Sequence, residues 1–187
     1  MTGATGAPSS SEHPSKWKQD LSDHSREYGE TPLNYDLDKV RRNSEPIADY
    51  LKTLEEKEPR TAERRAAYRL DGDAIQQIKE HSIGVVVVVF SAEWCPDCHR
   101  NLPVLGLIAK ATGIEVLVFG HIMRDSKNST RKWAVPPSPP EVDEFKVERI
   151  PHIIVLDNAG IKLGEIVENP PVDKTLEEAL QEILEGG

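Results

Sequence analysis

The chain holds two cysteines, and they stand together in Trp94-Cys95-Pro96-Asp97-Cys98. A thiol reacts as its thiolate, so chemistry at such a pair depends on what stabilises negative charge on sulfur. Two residues between cysteines bring the sulfurs to one face of a helical turn, within reach of a disulfide. The same spacing is half of a zinc or iron–sulfur site, and with His99 it matches the c-type haem attachment pattern Cys-x-x-Cys-His. Zinc would need two more ligands, and no second Cys-x-x-Cys is present; His99 and His152 are the nearest candidates in the sequence.

The elements around the pair favour redox chemistry. Ile83 to Phe90, IGVVVVVF, is almost wholly β-branched, with no polar residue alternating through it. That pattern predicts a strand buried on both faces, ending at Ser91. Leu102, Leu105, Ile108 and Ala109 then recur at helical spacing before Thr112-Gly113. A strand feeding a helix that starts near Cys95 places that cysteine where free N–H groups and the helix dipole favour a thiolate. Asp97 adds a carboxylate to the same turn and opposes that effect.

Further along, the pattern predicts strands over 114–119 and 153–156, a short helix over 141–147, and a returning antiparallel strand over 161–167 after the turn Asp157-Asn158-Ala159-Gly160. Leu176, Ala179, Leu180, Ile183 and Leu184 predict a C-terminal amphipathic helix with Asp173 near its start. Upstream, Ile47, Tyr50, Leu51 and Leu54 form an apolar stripe on a helix with Ser44 as N-cap. Thr61 would cap a second helix to about Leu70, and Asp73-x-x-Gln76 a third. The expected organisation is a loosely attached or disordered segment 1–30, a helical extension 31–72 and an α/β domain 73–187, with a central mixed sheet flanked by helices. The apolar stripe must be covered by the core or by a second copy of the chain, so a homodimer through the N-terminal helices stays open.

Here the residues resemble a known family. Trp94-Cys95-x-x-Cys98, the preceding Ala92-Glu93, Pro103 five residues after the second cysteine and Ile150-Pro151 opening a strand are similar to the active-site landmarks of the thioredoxin superfamily. The resemblance covers roughly residues 73–187. Within it, Cys95-Pro96-Asp97-Cys98, the helical extension and Glu168-Asn169-Pro170 look most like a bacterial thioredoxin-like group. The resemblance implies a thioredoxin-like fold, a reversible Cys95–Cys98 disulfide, a cis Pro151, and a substrate surface shaped by Trp94, Pro96, Asp97, Ile150 and Pro151. It implies no bound cofactor and no metal. Two positions depart from the family pattern: Val89 stands where thioredoxins carry a buried acid, and Pro-Asp replaces Gly-Pro between the cysteines.

The expected activity is protein thiol–disulfide exchange, with protein disulfides as substrates and a reductase or small thiol as electron donor. The other readings are a thioredoxin-like binding module and a metal site at the cysteines. A net charge of −9 argues against nucleic acid and anionic membrane as partners. No apolar run is long enough to span a bilayer and the N-terminus shows no secretory pattern, so a cytoplasmic protein is expected. Residues 39–70 carry nine Lys or Arg against six Asp or Glu, which a solvated helical face would explain. His99 is expected on the solvated side of its helix, and His121 and Trp133 in core or loop packing.

Overall fold

Val86–Phe90 has all five residues buried, and it forms the centre of the molecule because its side chains find apolar partners on both faces. In a computed structural model of the chain, the described residues are Met1, Gly3 and 34–186. The expectation for the segment 1–30 lies outside them. The helices are α1 Leu37–Asn43, α2 Ile47–Lys57, α3 Arg60–Ala67, α4 Gly72–His81, α5 Pro96–Thr112, α6 Glu141–Glu144 and α7 Leu176–Gly186. The strands are β1 Glu45–Pro46, β2 Val86–Phe90, β3 Glu115–Phe119, β4 His152–Leu156 and β5 Lys162–Val167. They form one five-stranded sheet in the order β1-β3-β2-β4-β5. β2 runs parallel to β3, which needs the long α5 crossover, and antiparallel to β4; β5 returns antiparallel to β4. Helices flank the sheet, as a thioredoxin-like α/β fold requires. Among the described residues no helix is long and apolar enough to cross a membrane.

Several boundaries differ from those read in the sequence, each for a local reason. The central strand begins at Val86 rather than Ile83, whose side chain is exposed. Gly84, in the left-handed region at φ 76°, turns the chain into the strand just after it. Ser44 does not start α2. It ends α1, its hydroxyl donating to the Val40 carbonyl at 2.6 Å, and Glu45–Pro46 pairs with β3 as a two-residue edge strand before α2 begins. Thr61 lies inside α3, fully buried, rather than capping it. Asp71, not Asp73, caps α4, its carboxylate accepting from the N–H groups of Asp73 and Ala74 at 2.9 and 3.0 Å. At α7 the cap is Thr175: its hydroxyl accepts from the Glu178 N–H (3.2 Å) while the Glu178 carboxylate accepts from the Thr175 N–H (2.7 Å), a reciprocal capping box. Helix α1, which the sequence reading did not anticipate, is capped by Asp36.

The apolar stripe of α2 is buried within its own chain. Tyr50 and Leu54 are fully buried, and Ile47 and Leu51 nearly so, in a cluster continuous with β2 and α5. The approach is close enough that a Cβ on Gly106 of α5 would lie 2.4 Å from Leu51 Cδ1, and one on Gly120 would lie 2.5 Å from the Tyr50 ring. Any homodimer would therefore have to use other faces of these helices. Helices α2 and α3 pack on α5, and α4 packs on α7 and α5. The extension thus shares its core with the sheet. Leu54→Ala is expected to cost about 2–5 kcal/mol of global stability, the range for a large aliphatic side chain removed from a close-packed core. Urea unfolding followed by circular dichroism would measure it, and a loss below about 1 kcal/mol would show that α2 opens independently.

Candidate active site

β2 ends at Phe90, and the chain is held at once: Ser91 N–H donates to the Phe119 carbonyl at 3.0 Å, and the Ser91 carbonyl accepts from Ile122 N–H at 3.3 Å. From this mount the loop 91–94 delivers Cys95 to the N-cap position of α5, with Pro96 at the first helical position, where its missing N–H costs nothing. The Cys95 sulfur accepts from the Cys98 N–H at 3.1 Å, so it occupies the place an N-capping oxygen would take. Cys95 and Cys98 are joined as a disulfide with Cα atoms 5.2 Å apart. Both are buried, and Cys95 Sγ lies 3.5 Å from the Ile150 carbonyl oxygen. The Ile150–Pro151 bond is cis, and both residues are buried beside the disulfide.

Trp94 and Pro96 are exposed over this pair. Trp94 is 46% exposed, yet it is oriented: its indole N–H donates to the Ile122 carbonyl at 2.8 Å, and its ring stacks on Trp133 at 6.0 Å. Trp133 is buried and anchored in turn through its own N–H to the Glu148 carbonyl at 2.8 Å. The proline-rich segment between β3 and β4 therefore forms one wall of the site. Asp97 is half-buried and pairs with Arg100 at 3.3 Å, one turn along α5, which offsets part of its charge near the sulfurs.

His99 is not solvated. It is 9% exposed and bound on both ring nitrogens. Nε2 lies 2.7 Å from the Glu93 carbonyl, which can only accept, so Nε2 carries a proton; in the neutral ring Nδ1 then accepts from the Thr61 hydroxyl at 3.0 Å. Arg64 adds a hydrogen bond to the His99 carbonyl at 3.2 Å. Helix α3 thus covers what the sequence alone suggested would be an open helix face. His121 stands in the left-handed region at φ 59°, with Nδ1 2.6 Å from Glu93 Oε1, a close electrostatic contact too poorly aligned to count as a hydrogen bond. Beneath it the Tyr50 hydroxyl donates to Ser91 Oγ at 3.0 Å. Burial pushes the Tyr50 phenol well above its ordinary range, so it stays protonated.

His99 and His152, the two histidines nearest the cysteines in sequence or fold, are thus directed away from them; His152 Nε2 meets Glu165 at 2.6 Å. Among the described residues no cluster of three or more His, Cys, Asp or Glu is placed to hold a metal ion.

The chain matches the family described as thioredoxin over residues 44–181, about three quarters of its length. It belongs to the thioredoxin family. It is similar to the thiol:disulfide interchange protein TxlA homolog of Synechocystis sp., 31% identical over 86 residues, a match covering 46% of this chain and 42% of that protein. The chain therefore spans less than half the length of that curated relative. Among solved structures it is similar to a Pseudomonas aeruginosa protein of unknown function (18% identity, TM-score 0.57). It is similar also to an HIV epitope scaffold (19% identity, TM-score 0.57). Each structural match covers 81% of this chain and 96% of the other, and at these identities the likeness is one of fold.

Within this thioredoxin-family frame the structure brings in residues that the sequence reading did not single out. Asn101, on α5 and buried, donates through Nδ2 to the Glu168 carbonyl at 2.8 Å and to Asn169 Oδ1 at 3.0 Å. Glu168 N–H in turn donates to the Pro151 carbonyl at 2.7 Å. The Glu168-Asn169-Pro170 turn thereby ties the cysteine-bearing helix to the strand that opens at Pro151. A polar residue amid the apolar positions of α5 was the signal that could have found Asn101. Thr61 and Arg64 carried no comparable signal, because their partner is thirty-five or more residues away.

The far side of Pro151 has its own electrostatic lock. His152 is buried with Nε2 on Glu165, and Lys162 lies 2.7 Å from the same carboxylate. Burial alone would raise the Glu165 pKa, but the bonds from Lys162 and His152 outweigh it and hold the carboxyl below its ordinary value. A folded-state pKa below the unfolded one contributes stability that is present above the unfolded value, near 4.5, and lost as pH falls through the lower folded value. Glu165→Gln is expected to lower stability at neutral pH by roughly 0.3–1 kcal/mol, discounted for the partial exposure of the pair. The gap between wild type and variant should close below pH 4.5 in thermal unfolding scans across pH 3–7. A gap that persists unchanged at pH 3 would remove the electrostatic explanation.

Proposed function

We propose that this protein is a thiol–disulfide oxidoreductase that works through reversible closure of the Cys95–Cys98 disulfide. The observation that carries the reading is the position of that pair: Cys95 caps α5 with its sulfur on the Cys98 N–H, beside the Ile150 carbonyl and under the exposed Trp94–Pro96 edge. In the reduced protein the same N–H and the helix dipole favour a Cys95 thiolate. That thiolate attacks a substrate disulfide. A bond forms between Cys95 and one substrate sulfur, the substrate S–S bond breaks, and the other sulfur leaves as a thiolate that takes up a proton. Cys98 then attacks Cys95, forming the intramolecular disulfide and releasing the second substrate thiol. Two electrons pass from the dithiol to the substrate, and the reverse sequence oxidises a dithiol substrate. The backbone around Ile150 pairs with an extended substrate segment by strand addition. A reductase or small thiol restores the dithiol, and protein disulfides are the substrates. The absence of an acid at position 89, where Val89 is fully buried, leaves the proton of Cys98 to be taken up by a group outside the core.

The order of attack sets the test. Cys98→Ser is expected to accumulate mixed disulfides through Cys95, because attack survives and resolution does not, whereas Cys95→Ser accumulates few or none. Non-reducing electrophoresis and mass spectrometry of protein trapped with a disulfide-bonded substrate would score both variants. Equal trapping by the two would overturn the assigned roles, and trapping by neither would overturn the activity.

A further inference from the structure

The cleft on the α3 side of the active site is basic in a chain whose net charge is −9. It has a volume of about 340 Å³ and is bounded on one side by Trp94 and Pro96, the exposed edge of the cysteine pair. The other side is built by the extension, which contributes Lys57, Arg60 and Arg64, and Arg100 of α5 completes it. Among the described residues no carboxylate lies within ion-pair distance of Lys57, Arg60 or Arg64. The two acids in the cleft are turned to other groups: Glu58 accepts from the Arg60 backbone N–H at 3.3 Å, and Glu93 faces His121.

Helix stability explains these charges only in part: Lys57 and Arg64 lie in the last turns of α2 and α3, where the helix dipole favours a cation. Arg60 is the first residue of α3, at the positive end of the helix dipole, where a cation is disfavoured. Arg64 is fixed at the site rather than waving in solvent, its guanidinium bonded to the His99 carbonyl one residue past Cys98. A solvated helical face accounts for the basic excess of residues 39–70 in general, but not for three cations that share one cleft with Trp94 and Pro96 and have no carboxylate partner among the described residues.

We propose that this cleft is a subsite for carboxylate groups next to the substrate disulfide, with Lys57, Arg60 and Arg64 setting specificity. The inference rests on the oxidoreductase reading above and adds the substrate class: an acidic disulfide, in which carboxylates lie within one or two residues of the reacting sulfur. Arginine and lysine at such distances attract carboxylates through solvent, and they also steer the encounter of an acidic substrate that the rest of the surface repels. The exchange itself is the two-electron sequence already written, with a dithiol such as dithiothreitol regenerating the protein in the assay.

The test uses the full chain and three homodimeric disulfide pentapeptides with Glu, Gln or Lys on both sides of a central cysteine. Reduced protein should react with the Glu-flanked peptide roughly 5- to 20-fold faster than with the Lys-flanked one at low salt. Screening should shrink that ratio severalfold at high salt. Lys57→Gln combined with Arg60→Gln should bring the ratio to within about twofold, while the same charge change at Lys79→Gln and Lys110→Gln, at the far ends of α4 and α5, should leave it. Binding is read separately by calorimetry on the oxidised protein, using the Glu- and Lys-flanked peptides with Ser in place of Cys. Reduction of all three peptides at equal rates, with equal binding, overturns the inference and leaves the oxidoreductase reading intact. Reduction of none, with the Glu-flanked Ser peptide still bound in preference, overturns the oxidoreductase reading and supports the carboxylate subsite. Faster reaction with the Lys-flanked peptide overturns the inference outright. Glutathione disulfide distinguishes the source of the carboxylates: a rate equal to that of the Glu-flanked peptide supports a small acidic thiol, and a rate tenfold lower supports an acidic protein segment.

Discussion

A helix end can hold negative charge on sulfur only if its N–H groups stay aimed at that sulfur. Everything else in this molecule is arranged around that requirement. Cys95 receives the Cys98 N–H because α5 starts where β2 stops, and β2 cannot shift because it is buried on both faces between β3 and β4. The continuous valine run serves this purpose directly. Close packing on both sides leaves the strand no low-energy alternative position, so the loop it feeds begins from a fixed point.

Helix α5 is then held from three directions. Helix α2 presses Leu51 against Gly106, midway along α5, and Tyr50 against Gly120, just past β3, approaches that larger residues would block. Helix α3 grips His99 from the side and lends Arg64 to its carbonyl. Asn101 secures the remaining side by binding the Glu168-Asn169 turn, which itself bonds to Pro151. The thioredoxin-family landmarks and the extension are therefore one structure in energetic terms. The extension contributes core, since the α2 stripe is as buried as the central strand β2, and it contributes one wall of the cleft beside the cysteines. That wall is where the charge of the site departs from the charge of the chain.

Much of this was legible before any coordinates. The valine strand, the crossover helix, the final hairpin and the C-terminal helix appeared at their places because burial imposes a period on the residues that face the core. The cysteine pair was legible because a thiol, a helix start and a preceding buried strand make sense only together. Errors fell at boundaries and caps. Ser44, Thr61 and Asp73 each had the right chemistry for an N-cap, but Ser44 closes the preceding helix, Thr61 turns inward to His99, and Asp71 lies two residues earlier with its carboxylate on two free N–H groups. Local propensity ranks such candidates almost equally, so packing a few residues away decides among them.

By itself, then, the sequence determined which segments are apolar enough to be interior, in what order strand and helix alternate, and which residues form the candidate redox pair, because these depend on composition and short spacings. Only the tertiary structure decided that the stripe on α2 faces its own core, that His99 is enclosed rather than solvated, and that Asn101 and Glu168 join α5 to the strand at Pro151. Only it brought Lys57, Arg60 and Arg64 to the Trp94–Pro96 edge of a disulfide that lies more than thirty residues downstream of each. Contacts of that kind depend on how helices dock across the sheet, and docking is set by the complementary shapes of many side chains at once, which no short window of sequence contains.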